Sequence, residues 1–202
     1  MKLLGTNTSP YVRKVRLVLL EKHIAHDYIV DAPRDPGSQV ARVNPLGRIP
    51  ALILDDEFCV FDSPVIAEYA DTLNDTPRLI PAEPRAHLRV KRWEALADGI
   101  MDSAVQVQVE RLRPAEQQKQ GVFVVHNRSI SQALAYSAEL LGAQTFLEGE
   151  ALTLADLALV SALIYLNLRQ PERDWRAEHP NLAAWFERMA QRPSVQTSLV
   201  SA

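Results

Sequence analysis

Short apolar runs alternate with helix-spaced apolar residues over the first 75 positions, and helical spacing alone governs the remainder of the chain. Lys2 to Gly5 reads as a strand. Behind Ser9-Pro10, the residues Val12, Val15, Val18 and Leu19 recur at helical intervals and predict a helix opening at that dipeptide. Tyr28-Ile29-Val30 reads as a second strand, and the turn-rich stretch from Pro33 to Gly37 leads into a short helix reaching about Val43. Ala51 to Leu54 and Phe58 to Phe61 are apolar runs separated by Asp55-Asp56-Glu57, the pattern of a hairpin. Ser63-Pro64 opens another helix, with Val65/Ile66, Tyr69 and Leu73 on one face. The order is βαβ followed by ββα, an α/β layer of thioredoxin size.

Between Asn74 and Arg85 the periodicity lapses around Pro77, Pro81 and Pro84, which reads as a linker. The expected organisation is a domain over 1–75, a linker over 76–85 and an all-helical domain over 86–202. Breaks in the helical part are expected near Pro114, Gly142, Gly149, Pro171 and Pro180. The segment from Leu154 is apolar nearly all round and predicts a central buried helix. Thr153 and Asp156 resemble a capping box at its start, with Leu152 and Leu157 placed as a hydrophobic staple.

Composition narrows the function classes. Hydrophobic residues at 47% and charged residues at 23% are the balance of a globular chain. A net charge of -3 with scattered Lys and Arg leaves no electrostatic footprint for nucleic acid. The longest apolar stretch, Leu154 to Leu168, carries Asp156 and Asn167 and is shorter than the ~20 residues of a membrane span. Met1 runs straight into strand-like sequence without a signal-peptide layout, so a cytoplasmic location is expected. The single cysteine, Cys59, rules out an internal disulfide and reads as a buried inert thiol in the fourth strand. His23, His26, His87, His126 and His179 show no ligand spacing, so no metal site is expected.

Three elements of the α/β half could carry chemistry. In Thr8-Ser9-Pro10-Tyr11-Val12, Ser9 can cap the helix and Pro10 suits its first position. The same geometry exposes unpaired N–H groups and partial positive charge, which favour an anion such as a thiolate, to which the Ser9 hydroxyl can donate. In Asn44-Pro45-Leu46-Gly47-Arg48-Ile49-Pro50, the Ile49-Pro50 bond reads as a loop entering a strand; were it cis, the Ile49 backbone would be free to pair with an extended peptide. In Asp62-Ser63-Pro64, Ser63 reads as a second helix cap. Alternatively, with its N–H and the helix end, it could hold a carboxylate, while Asp62 faces an ammonium.

Ser-Pro after the first strand, Asn-Pro-Leu-Gly-Arg-Ile-Pro-Ala-Leu, Asp-Ser-Pro-Val-Ile-Ala-Glu-Tyr and the later Leu-Thr-Leu-Ala-Asp resemble the successive landmarks of a bacterial, cytosolic glutathione transferase over residues 1 to 190. The resemblance implies a thioredoxin-like glutathione-binding domain followed by an all-helical one. It implies Ser9 as the thiol contact, Ile49 pairing with the cysteinyl backbone beside cis-Pro50, Asp62 and Ser63 at the γ-glutamyl end, and Arg48 as a further contact. Asp98 resembles an acidic residue that in some classes reaches the neighbouring subunit's ligand, with a solvated helix carboxylate as the commoner reading, and the resemblance implies a homodimer acting in detoxification. Glutathione would be a co-substrate, no cofactor is implied, and the second substrate would be a small hydrophobic electrophile met near Asn7, Tyr11, Ala104 and Val107. Ser9-Pro10-Tyr11-Val12 holds no sulfur, which speaks against thiol–disulfide exchange on the protein. Tyr11 is a rival hydroxyl, but tyrosine-type members place theirs nearer Asn7. Two other readings stay open. One is a non-enzymatic interaction protein of the stringent-starvation type, and the other a glutathione-dependent isomerase, peroxidase or dehalogenase.

Overall fold

The computed structural model describes residues 1–199. The chain divides into two compact units, Met1–His87 together with the segment from Gln191 onward, and Leu88–Ala190.

The first unit holds strands β1 (Lys2–Gly5), β2 (Asp27–Val30), β3 (Ala51–Ile53) and β4 (Cys59–Val60), and helices α1 (Pro10–Glu21), α2 (Val40–Val43) and α3 (Ser63–Thr72). The sheet order is β2-β1-β3-β4; β1 runs parallel to β2 and antiparallel to β3, and β3 runs antiparallel to β4. This is the expected thioredoxin-like βαβ-ββα layer. Alternation along the strands puts Leu4, Ala51 and Ile53 on one face, where they pack with Val40 of α2. Gly5 is demanded by close approach: a Cβ there would lie 2.5 Å from Cγ2 of Val12 in α1.

Two expectations about faces change. In α1 the whole run Val12–Leu19 is buried, Arg13, Lys14 and Arg16 included, although the apolar spacing predicts one buried stripe. The reason is that α3 and a last helix, α9 (Pro193–Leu199), both pack on α1. Arg192 makes a two-pronged bond to Glu21 at 2.8 Å per contact, and the Ser194 hydroxyl donates to the same carboxylate. Helix α9 thus packs onto the α/β unit. In α3 the buried face is Ser63, Ile66, Ala67, Ala70 and Asp71, while Val65 and Leu73 are exposed. The packed face carries Ile66 with the small residues Ala67 and Ala70, not Val65 and Leu73.

The hairpin also closes earlier than its apolar runs suggest. Regular pairing ends at Ile53 and Cys59; Leu54 N–H donates to Phe58 O at 2.8 Å across the turn, Glu57 has φ 64°, and Phe58 is exposed. The proline-rich segment is tied down by one buried ion pair. The Lys22 ammonium meets Asp71 Oδ1 at 2.9 Å and donates to the carbonyls of Asn74 (2.7 Å) and Pro77 (2.8 Å). Asp71 in turn accepts from the N–H groups of Leu79 (2.8 Å) and Ile80 (3.0 Å), burying both side chains. A buried pair with its remaining positions hydrogen-bonded is the case in which removing one partner is most damaging, at about 3–5 kcal/mol.

The second unit is helical: α4 (Pro84–Arg111) from Leu88 on, α5 (Gln120–Leu141), α6 (Leu154–Arg169), α7 (Trp175–Glu178) and α8 (Pro180–Ala190), with a 3₁₀ turn at Ala115–Gln117. The helices stop where Pro114, Gly142 (φ 52°) and Pro171 are expected to stop them. Helix α6 is buried from Leu154 to Leu163, as its composition predicts. Its capping box forms: the Asp156 carboxylate accepts from Thr153 N–H (2.9 Å) and hydroxyl (3.0 Å), and from Leu147 N–H (2.9 Å). Among the described residues no helix is long and apolar enough to cross a membrane.

Candidate functional site

The strand register gathers the three candidate elements. Leu4 faces Ala51 across β1 and β3, and Leu52 faces Val60 across β3 and β4. One further step along each pairing brings Gly5 beside Pro50, and Ala51 beside Phe61. The loop to Ser9, the loop ending at Pro50 and the turn through Asp62 therefore all leave the same end of three adjacent strands. Two helices, α1 and α3, start there and pack against each other. Both present their positive N-terminal ends to that edge.

At α1, Ser9 occupies the N-cap with extended backbone (φ −72°, ψ 124°) and Pro10 is the first helical residue. Ser9 Oγ accepts from Val12 N–H at 3.3 Å. A hydroxyl that spends a lone pair on the helix keeps its proton available for an outside acceptor. The loop before it is held by Ser9 N–H on Thr6 O (3.1 Å) and by the Arg13 guanidinium, whose Nη2 donates to Asn7 O at 2.9 Å. Tyr11, the rival hydroxyl, is half-buried and already engaged with other groups.

The second element is built around Asn44, which is 1% exposed. Its N–H donates to Val40 O (2.8 Å), its C=O accepts from Gly47 N–H (2.9 Å), its Oδ1 accepts from Leu46 N–H (3.0 Å), and its Nδ2 donates to Arg48 O (2.8 Å). Gly47, at φ 59°, allows the chain to turn inside this clamp. The Ile49-Pro50 bond is cis, the condition set for a free Ile49 edge. Ile49 packs against the Leu4 cluster and Pro50 is buried, while among the described residues neither the N–H nor the C=O of Ile49 makes a hydrogen bond. Arg48 is exposed.

At α3 the roles shift by one residue from those expected. Asp62, not Ser63, sits at the N-cap, and Ser63 and Pro64 are the first two helical residues. Asp62 keeps an extended conformation (φ −94°, ψ −160°), so the helix starts one residue earlier than the Ser-Pro pair suggests. The exposed Asp62 carboxylate makes no capping bond and has no partner among the described residues. Ser63 is 3% exposed, and neither its hydroxyl nor its N–H makes a hydrogen bond among the described residues.

Other candidates fall elsewhere. Cys59 is half-buried in β4, and burial pushes its thiol up, away from the reactive thiolate. Asp98 lies half-buried within α4 and is engaged with other groups. Ala104 and Val107 are buried at 0% and 1%, so neither is an open wall for a second substrate. No group of three His, Cys, Asp or Glu residues that could hold a metal ion occurs among the described residues. A hollow of about 380 Å³ lies at the opposite end of the sheet, beside Met1 and the Leu54–Asp56 turn. Another, of about 260 Å³, lies under the Ile29–Gln39 loop. None of the site residues lines either one.

Sequence reasoning missed two supports, Asn44 and Arg13. Asn44 had a signal, because an Asn before Pro-x-Gly is the residue that bonds its own backbone in a turn. Arg13 had none: a basic residue in an amphipathic helix reads as solvent-facing.

Residues 8–73 match the model of the glutathione S-transferase N-terminal domain, and residues 100–193 that of the glutathione S-transferase C-terminal domain. The chain is 39% identical over 194 residues to the uncharacterised GST-like protein YibF of Escherichia coli, covering 96% of each. It is 41% identical to a glutathione S-transferase of Methylobacillus flagellatus solved with glutathione bound, with a TM-score of 0.95 over 98% of both chains. It is also 31% identical over 155 residues to elongation factor 1-gamma of Danio rerio, spanning 77% of this chain but only 34% of that protein.

Proposed function

The chain belongs to the glutathione S-transferase family, and from that premise we propose that its first unit binds glutathione and activates the thiol for transfer to a hydrophobic electrophile. The observation that carries the reading is Ser9: a half-buried hydroxyl at the N-cap of α1, bonded to Val12 N–H, with its proton free for a sulfur. Support comes from the Ile49 backbone, unpaired among the described residues, which suits an extended tripeptide, and from the donors of Ser63, likewise unpaired there, which suit a carboxylate. Asp62 then meets the γ-glutamyl ammonium, and Arg48 is a peripheral contact.

A free thiol of pKa ~8.5 is only a few per cent ionised at pH 7. Lowering it by ~1.5–2 units requires about 2–3 kcal/mol in favour of the thiolate. One charge-assisted hydrogen bond from Ser9 contributes ~1.5–3 kcal/mol, and the end of α1 adds ~0.3–1 kcal/mol. The two suffice without a general base, for which serine is poorly suited. The thiolate attacks the electrophilic carbon and forms the C–S bond as the leaving group departs. We read the protein as a homodimer, with glutathione as co-substrate.

The test is the ultraviolet thiolate absorbance of bound glutathione, titrated with pH in the wild type and in Ser9→Ala. The expected outcome is a bound thiol pKa below 7 in the wild type that rises in the variant while affinity stays close. Equal titrations would remove Ser9 from the chemistry. The likeness to elongation factor 1-gamma favours a second reading, an interaction protein on the same fold. Retention on immobilised glutathione supports the enzyme; absence of both retention and a thermal shift supports the interaction protein.

A further inference from the structure

One turn below Ser9, Arg13 is only 6% exposed. Its N–H closes the first helical turn on Ser9 O at 3.0 Å. Its side chain turns back along the helix, and Nη2 reaches Asn7 O at 2.9 Å, in the loop that delivers Ser9. Of the other two buried cations on this helix, Lys14 and Arg16, the latter is committed elsewhere. Arg16 lies 4.4 Å over the Tyr28 ring and donates to the carbonyls of Ser198 (3.4 Å) and Thr197 (3.5 Å) in α9. A leucine or methionine would fill the Arg13 site without the cost of burying charge beside another guanidinium. That cost is visible in Arg13 itself, where burial first and Arg16 second disfavour the charged form. What the guanidinium supplies, and an apolar residue cannot, is a donor long enough to reach a loop carbonyl six residues back in the chain.

We propose that Arg13 is a positioning residue for the thiol site: by holding the Asn7 carbonyl it fixes the Thr6–Ser9 loop, and with it the direction in which the Ser9 hydroxyl donates. This rests on the thiolate role given to Ser9. Ser9 N–H on Thr6 O spans the same loop from its far side, so losing the Arg13 bond leaves the loop tethered at one point and free to rotate the cap. The residue acts through Ser9, and its effect disappears when the hydroxyl is absent.

The experiment is a double-variant cycle of Arg13→Met and Ser9→Ala on the full chain, reading the bound thiol pKa and splitting kcat from the KM for glutathione. Arg13→Met is expected to raise the thiol pKa by about one unit and lower kcat about tenfold, with KM within about twofold. In the Ser9→Ala background the same substitution is expected to change neither. Fully multiplicative effects would overturn the proposal, because they would show Arg13 acting independently of the hydroxyl. A ligand-free readout separates this from the thiolate assignment. Hydrogen exchange of the Val12 amide is expected to be about tenfold faster in Arg13→Met, with the Val15–Leu19 amides unchanged. Unchanged Val12 protection would also overturn the proposal, whatever happens to glutathione. Should the methionine variant not fold, Arg13→Lys keeps the buried cation and shortens its reach. The same loss of Val12 protection is expected there, and a Lys variant with faster Val12 exchange but wild-type thiol pKa would show that charge, not loop position, matters.

Discussion

The start of α6 and the starts of α1 and α3 are built from the same residue types, a hydroxyl or carboxylate just before an apolar run, yet they end in opposite states. At α6 the carboxylate of Asp156 is 0% exposed and accepts three protein hydrogen bonds, so nothing is left over for a ligand. At α1 the Ser9 hydroxyl accepts one bond and keeps its proton, and at α3 the Ser63 hydroxyl and N–H find no partner among the described residues. The difference is one of surroundings. The α6 start lies inside the helical unit and must satisfy every polar atom internally. The α1 and α3 starts lie at one end of a sheet, where loops leave the strands and unsatisfied donors can wait for an anion.

The strongest way to break this contrast is to open the closed start. Asp156→Ala strands the Thr153 and Leu147 N–H groups in the interior, and a loss of about 3–5 kcal/mol in denaturant stability is expected. Glutathione affinity of the folded fraction should be unchanged; an affinity loss matching the stability loss would erase the distinction between the two kinds of helix start. Next in size is Ser9→Ala, which should cost about 1.5–3 kcal/mol of thiolate stabilisation, seen as a fall in turnover at pH 6–8. Its effect on stability is expected to be only that of a lost cap, about 0.5–2 kcal/mol in a melt. Ser63→Ala should weaken glutathione binding by about 1–3 kcal/mol in calorimetry with stability nearly constant. No change in the binding isotherm would take Ser63 out of the site.

The smallest effect concerns pH. Glu21 is pushed up by burial, but hydrogen bonds from Arg192 and Ser194 outweigh this and leave it below its ordinary value. A carboxylate lowered in the folded state binds protons more weakly there than in the unfolded chain. Its contribution is therefore fully present above the unfolded pKa of about 4.3 and is lost as pH falls through the lower folded value. Asp156, raised chiefly by burial despite its hydrogen bonds, has the opposite sign: its folded state favours the proton, and stability falls as pH rises from about 3.9 to the raised value. Denaturant midpoints measured from about pH 3 to 6 should lose the rising limb in Glu21→Gln and keep it in Asp156→Asn.

What could be read without a structure followed the short-range rules. The strand β1, the start of α1, the buried α6 and its capping box, and the Ser-Pro, Asn-Pro-Leu-Gly and Asp-Ser-Pro landmarks all depend on neighbours within a few residues, where spacing and capping chemistry are decisive. Contacts distant in sequence could not be read in this way. The burial of Arg16 needs carbonyls of α9, about 180 residues away, to receive its guanidinium. The clamp on the proline-rich segment needs Lys22 to reach Asp71, 49 residues on. The shift of the α3 cap from Ser63 to Asp62 depends on how the turn after β4 meets the sheet. By itself, then, the sequence determined the elements, their order and the residue types that meet at the proposed site, because these are local matters of dihedral preference, periodicity and capping. Only the tertiary structure decided which polar groups are closed off and which stay open to a ligand, because hydrogen-bond satisfaction is a property of three-dimensional neighbours that no stretch of chain carries alone.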